Sequence, residues 1–399
     1  MRRPESMEAN KVKIPRVSPQ ILVWARETAG LTLAEAAKRL KVKEEKLVRF
    51  ESDNPQPIDR ALIVKMAKLY RRPLLTFYLP QVPKAGVRGE DFRTLPTDYT
   101  VTDAALVDAL IRDIRARQSI VREVLETEDD VEPRSFIGTM SLSEGVVAAV
   151  RRLRSILGLT REEYRKATTE HEAFKRLRQH AEACGIFVVL QGDLGHHTSR
   201  ISLETFRGFA LADQIAPFVV INDQDSISAW SFTLLHEIVH LCLGESGVSN
   251  GQPQSAIEQF CNDVASEYLV DGSELALIQV NNFTLFEEAH VKITSFARSR
   301  RLSSTMVSFR LFQAGLIDFD LWRKLRSFYR EMWRRSQQRK REIAATDSGP
   351  NYYVVRRHRI GDALLGFARR MLSEGALSTT KAAKVLAVNP QGVGPLLAM

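Results

Sequence analysis

The sequence predicts a mainly α-helical chain with one small β-sheet, an α+β fold spread over more than one domain. Three observations carry that prediction. Helical periodicity dominates most of the chain. Near Gly185 the pattern changes to three short runs rich in Val, Ile and Phe, namely GIFVVLQ, FRGFALAD and APFVVIN, divided by polar turns. The length of 399 residues gives room for two or three domains, and 44% hydrophobic with 26% charged residues is the composition of a globular protein able to bury a core.

Composition also excludes several classes. No apolar run approaches the roughly 18–20 residues needed to cross a bilayer. The N-terminal stretch MRRPESMEANKVKIP lacks the hydrophobic segment of a secretory signal. Cys184, Cys242 and Cys261 are too few and too scattered for a disulfide framework or a paired-cysteine metal site. The expectation is a cytoplasmic protein with reduced thiols and no membrane partner. The net charge of +9 is uneven: residues 322–342 hold nine Lys/Arg against two Glu, which leaves the rest close to neutral. An argument for a polyanionic partner from pI alone is therefore an argument about this one segment.

Taken in order, residues 16–80 read as a compact helical bundle. Leu33–Leu40 and Glu44–Glu51 form two helices joined by KVK, with small Ala37 at their close approach and Leu40, Val42 and Leu47 as core. A helix over Lys43 to Ser52 would enter a DNA major groove, with Lys43, Lys46 and Arg49 as the candidate DNA-binding residues. Glu44 and Glu45 on the same helix oppose the phosphates, so dimerisation or docking of a partner stands as the alternative use of the bundle, and a homodimer stays open. Pro80, Pro83 and VPKAGVRGEDFRTLPTD mark a linker, and helical periodicity resumes with VTDAALVDALIRDIRARQSIVREVL, so residues 81–142 are linker and helical connector. A third region, 143–315, holds helices, the three strands and a pair of further helices. Residues 316–399 form a basic helical C-terminal region with a weak break at ATDSGPN.

The chemistry is concentrated in SFTLLHEIVHLCLG, residues 231–244. His236 and His240 are four apart and share one face of a helix, so both can offer imidazole nitrogen to a single metal ion. Glu237 is rotated by roughly 100° and flanks that ion, where a general base takes a proton from water. Zinc suits this set, because imidazole and carboxylate ligands leave a fourth position open. The plainer reading is two core histidines bonded to backbone. Against it, burying two imidazoles and a carboxylate on one oily helix is costly unless something satisfies them. The next helix, AIEQFCNDVASEYLV, offers Glu258, Asp263 and Glu267 as a third ligand. Glu258 and Glu267 are nine residues apart and face opposite ways. Glu258 is favoured, with Asn262 on its face holding a histidine or Glu258 itself, and Glu267 is the alternative. His196, His197 and Arg207 are weaker candidates for holding an oxyanion at the cleft.

FTLLHEIVHLCLG followed by IEQFCNDVASEYLV resembles the ImmA/IrrE family of metallopeptidases, as do the strand segments FRGFALAD and APFVVIN just upstream. The N-terminal bundle resembles the Xre-type helix-turn-helix fused to such domains, including the phrases around Met66–Pro80 and Asp91–Pro96. The resemblance covers residues 18 to 270. It implies a zincin-like domain in which His236, His240 and Glu258 bind zinc and Glu237 is the catalytic base. It also implies site-specific cleavage of a repressor or other regulatory protein, in transcriptional, mobile-element or stress control. Asp271 departs from the proline many members carry there, which concerns the helix end and not the metal. Two rival readings are a non-catalytic DNA-binding regulator or antitoxin-like protein with a structural or vestigial metal site, and a repressor that cleaves itself. In the C-terminal region, the aromatics among the arginines of 322–342 fit an amphipathic helix better than a nucleic-acid track. LSTTKAAKVLAVNPQGVGPLL echoes a second helix-turn-helix, and a protein-contact role suits it equally.

Overall fold

The N-terminal periodicity folds into α1 (Pro19–Glu27), α2 (Leu33–Leu40), α3 (Glu44–Phe50) and α4 (Arg60–Leu69), followed by a 3-10 turn over Leu74–Tyr78. The computed structural model describes residues 17–52, 54–83, 101–128, 131–195, 199–246, 248–249, 256–344 and 351–398. His196, His197, the DFRTLP phrase of 91–96 and most of the ATDSGPN break lie outside the described residues. The chain divides into two units, Met1–Arg88 with Asp98–Ala109, and Gly89–Thr97 with Leu110–Met399. The long helix α5 (Val101–Glu126) has residues in both.

In the first unit, local chemistry sets the helix ends. Thr32 and Glu35 exchange hydrogen bonds in a capping box at the start of α2, with Thr32 N–H donating to Glu35 at 2.9 Å and Glu35 N–H to the Thr32 hydroxyl at 3.2 Å. Lys41 takes a left-handed conformation that ends α2 and turns the chain into α3. Ala37, Leu40 and Leu47 are buried as the spacing requires, in one cluster with Ile21, Phe50 and Met66. Glu51, at the end of α3, is drawn inward onto Arg26 at 2.9 Å with both side chains nearly covered, so it leaves the surface of the helix. Lys43, Glu44, Glu45, Lys46 and Arg49 stay exposed.

The second unit contains α6 (Gly145–Leu157), α7 (Arg161–Arg165), α8 (Glu170–Ala183), β1 (Phe187–Leu190), β2 (Gly208–Leu211), β3 (Phe218–Ile221) and α9 (Ile227–Leu243). There follow β4 (Val248–Ser249), α10 (Ala256–Leu269), α11 (Gly272–Leu275), α12 (Phe286–Arg300), α13 (Ser304–Gln313) and α14 (Phe319–Ala344). Among its described residues, the second unit is thus mainly helical with one small sheet. Its strand order is β1-β3-β2-β4, with β1 parallel to β3 and the other pairs antiparallel. Every residue of β1, β2 and β3 is buried, which is why these runs are continuously apolar instead of alternating. Three strands are legible in the sequence; the fourth, two residues long, falls inside the polar stretch GESGVSNGQPQS that reads as a loop. A two-residue pairing has no alternation to betray it.

Helix α9 packs on β2 and β3, and α10 packs on α9 and α6. In α14, Leu321, Leu325 and Tyr329 join the core while Arg323, Arg326, Arg330, Arg334 and Arg335 are exposed, as an amphipathic helix demands. The C-terminal segment folds as α15 (Tyr352–Ile360), α16 (Asp362–Ser373), α17 (Thr379–Val385) and α18 (Val393–Ala398). Its cations are committed: Lys381 pairs with Glu123 at 2.9 Å and Lys384 with Asp113 at 2.6 Å, both on α5. Its last helix, VGPLLA, carries no charge. Among the described residues no helix is long and apolar enough to cross a membrane, and the three cysteines are free.

Candidate metal centre

Helix α9 is apolar almost all round, with residues Thr233 to Cys242 buried without a break. Gly244, left-handed at φ +76, closes it by donating to the carbonyls of His240 and Leu241. Such a helix has no solvent face, so its polar groups must find partners inside. His236 and His240 are 1% exposed and Glu237 is wholly covered.

Glu258, in the first turn of α10, reaches into this interior. Its two carboxylate oxygens lie 3.3 Å from His236 Nε2 and 3.2 Å from His240 Nε2, and the two Nε2 atoms lie 3.1 Å from each other. For metal–ligand bonds of about 2.0–2.1 Å in a tetrahedral arrangement, donors stand about 3.3 Å apart. The three separations are close to that spacing, with one carboxylate oxygen of Glu258 turned to each imidazole. Among the described residues this trio is the cluster of donors able to hold a metal ion.

The electrostatics of the trio are set by burial and by mutual hydrogen bonds. Burial works against the Glu258 carboxylate, yet the hydrogen bonds offered by His236 and His240 hold its pKa far below the ordinary range. Burial pulls His236 below the usual imidazole value, opposed by Glu258 and by the amide of Asn262, which faces it one turn further along α10. Burial, and after it the charge of Glu258, pushes Glu237 well above the usual carboxylate range. Both Glu237 oxygens and the Nδ1 atoms of both histidines are buried with no hydrogen-bond partner among the described residues. A bound cation would reverse the shift of Glu237, favouring its ionised form, and would keep the imidazoles neutral.

The other candidates are placed elsewhere. Glu267 lies on the far side of α10, where its carboxylate meets Arg310, and Asp263 accepts from Gln313 at 3.0 Å. Arg207 is paired with Asp225 at 2.8 Å and is 42% exposed. Lys43, Lys46 and Arg49 belong to the first unit.

One residue of the site escapes motif reading. Gly208 opens β2 directly against Glu237: a Cβ there would stand 2.8 Å from Glu237 Oε1 and 2.7 Å from Thr233 Cγ2. The signal was a glycine inside a strand pattern, which marks close approach of another group. Gly208→Ala is expected to cost about 1–3 kcal/mol, read by urea unfolding, because a buried carboxyl and a helix must shift to admit one methyl. Unchanged stability would mean that Glu237 swings aside freely.

Comparison with known families finds one match within each unit. Residues 191–311 match the peptidase M78 model, described as the IrrE N-terminal-like domain, and residues 21–72 match a helix-turn-helix domain. Neither the curated proteins nor the solved structures compared give a match to the chain. The chain therefore carries a helix-turn-helix domain followed by an IrrE-type peptidase-family domain. That order is the architecture of ImmA/IrrE proteins fused to a helix-turn-helix.

Proposed function

We propose that the second unit is a zinc endopeptidase that acts in the cytoplasm on a repressor or other regulatory protein, and that the first unit binds DNA. The observation that supports it best is the set of three converging donors beside a buried, unpartnered glutamate. His236, His240 and Glu258 would hold the zinc, with Asn262 steadying His236. The bound ion supplies Lewis-acid polarisation of the scissile carbonyl and acidifies a water molecule. Glu237 accepts the proton of the attacking water at its carboxylate and returns it to the departing amine. The dry walls around Glu237 strengthen its charge interactions.

The experiment compares new protein N-termini in cells expressing the wild type or Glu237→Gln. Fragments that depend on Glu237 name the substrate and the cleavage site. A search that finds none, with zinc bound, supports the rival reading of a non-catalytic regulator. For the first unit, exposed Lys43, Lys46 and Arg49 would meet phosphates, with exposed Glu44 and Glu45 beside them. Replacing those three cations with alanine should weaken DNA binding and flatten its salt dependence by about 2–3 units of slope. An unaltered slope would assign the bundle to dimerisation or partner docking.

A further inference from the structure

The family match ends at residue 311, yet a side chain from α15 reaches the loops at the end of the sheet where Gly208 meets Glu237. Strand register fixes which end that is. Gly208 pairs with Ile221, and Ile221 pairs with Leu190, so the start of β2 and the ends of β1 and β3 lie together. The loops that leave this end are residues 191–207, described except for 196–198, and 222–226. Gly208, with Glu237 against it, is where the first loop enters the sheet.

These loops are tied to each other by buried polar groups. Asn222, fully covered, donates its amide to the carbonyls of Ile201 at 3.2 Å and Phe206 at 3.1 Å, and its backbone N–H to Arg207 at 2.8 Å. Asp223 accepts from the Gly192 N–H at 2.9 Å. Asp193 and Asp223, one from each loop, both meet the Arg359 guanidinium, at 3.0 Å and 2.6 Å. Two of these three groups are loop side chains; the third comes from beyond the matched segment.

The arginine is itself aimed. Arg178 of α8, 6% exposed, donates to the carbonyl of His358 at 2.6 Å, to that of Arg359, and to Val188 of β1. Glu182 accepts the N–H groups of Asp362 and Ala363 at 3.1 Å each, capping α16. Gly361, at φ +89, passes between them: a Cβ there would stand 2.2 Å from Arg178 Nη2 and 2.3 Å from Glu182 Oε1. Phe367 of α16 meets Phe187 of β1 edge-on at 6.1 Å. The backbone on both sides of Arg359 is thus fixed on the β1 edge before its side chain makes any contact with the loops.

We propose that Arg359 is a positioning residue for the metal centre: by joining Asp193 to Asp223 it sets the loops that hold Gly208, and through it Glu237, in place. The C-terminal helices are then a working part of the peptidase unit and not an appendage. This rests on the zinc-peptidase reading for its consequence, though not for its geometry. Arg359 touches neither the donors nor Glu237 and acts only through the loops.

The test uses the full chain in four forms: wild type, Arg359→Met, Arg359→Lys, and Asp193→Asn with Asp223→Asn, which removes the same ion pairs from the other side while keeping the amide acceptors. Hydrogen exchange followed by mass spectrometry should show peptides across 199–208 and 222–226 exchanging about tenfold faster or more in the Met and double-Asn forms, with 362–385 unchanged. Arg359→Lys, able to reach one carboxylate at a time, should recover part of the protection. With Co(II) as the metal probe, the visible spectrum should shift in the Met form, which loose packing of a remote helix would not produce. Loops that exchange at the wild-type rate in both variants overturn the proposal, and so does faster exchange spread equally over 362–385. A wild type that takes up no cobalt contradicts the metal reading instead, and leaves exchange to decide the positioning role.

Discussion

Glu237→Gln is expected to keep its metal and lose cleavage by about 10²–10⁴-fold, the contribution typical of a positioned general base. The substitution is isosteric and neutral. Without metal, burial and the nearby Glu258 already push the Glu237 carboxyl well above its usual range, so the fold accepts a neutral group there. Stability should therefore stay within about 1 kcal/mol of wild type. None of the three donors is touched, so zinc content should not change. Single-turnover rates on an identified substrate, with zinc measured in the same samples, check both halves. A Gln form that cleaves at the wild-type rate would remove Glu237 from the chemistry.

Removing the metal is expected to have the largest effect on stability. Two imidazoles with Nε2 atoms 3.1 Å apart, and a carboxylate between them, are held in a buried place that a cation would satisfy. At free zinc about 1,000 times its dissociation constant, binding to the folded form alone adds about 4 kcal/mol. Chemical unfolding with zinc and with a chelator should differ by that order, and His240→Ala should abolish the difference. The pH dependence of zinc binding has a definite sign. Only neutral imidazoles coordinate, so zinc affinity should decline as pH drops below about 6.5, the ordinary imidazole value. In the metal-free fold the lowered His236 favours higher pH while the raised Glu237 favours lower pH, so the decline is read on zinc binding.

How much of this was legible beforehand depends on the range of the interactions. The fold class was readable because helical periodicity and the continuously apolar strands are local patterns. The meeting of Glu258 with the two histidines was readable in outline, because nine residues of helix must turn Glu267 away from Glu258. Glu267 indeed finds Arg310 on the other side. What stayed hidden are features set by register and by distant chain. The nearness of Gly208 to Glu237 depends on how β2 pairs and how α9 lies across it. The pairing of Arg359 with Asp193 joins residues 166 positions apart. β4 is too short to have a pattern. In the basic segment 322–342 the aromatic spacing already described the amphipathic helix that forms.

The most direct test of the account is the metal itself. After reconstitution, elemental analysis and zinc-edge X-ray absorption should show one zinc per chain, bound by two imidazoles and oxygen, in both the wild type and Glu237→Gln, and none in a His236→Ala, His240→Ala double variant. A wild type that binds no zinc, or a double variant that keeps it, would contradict the centre described here.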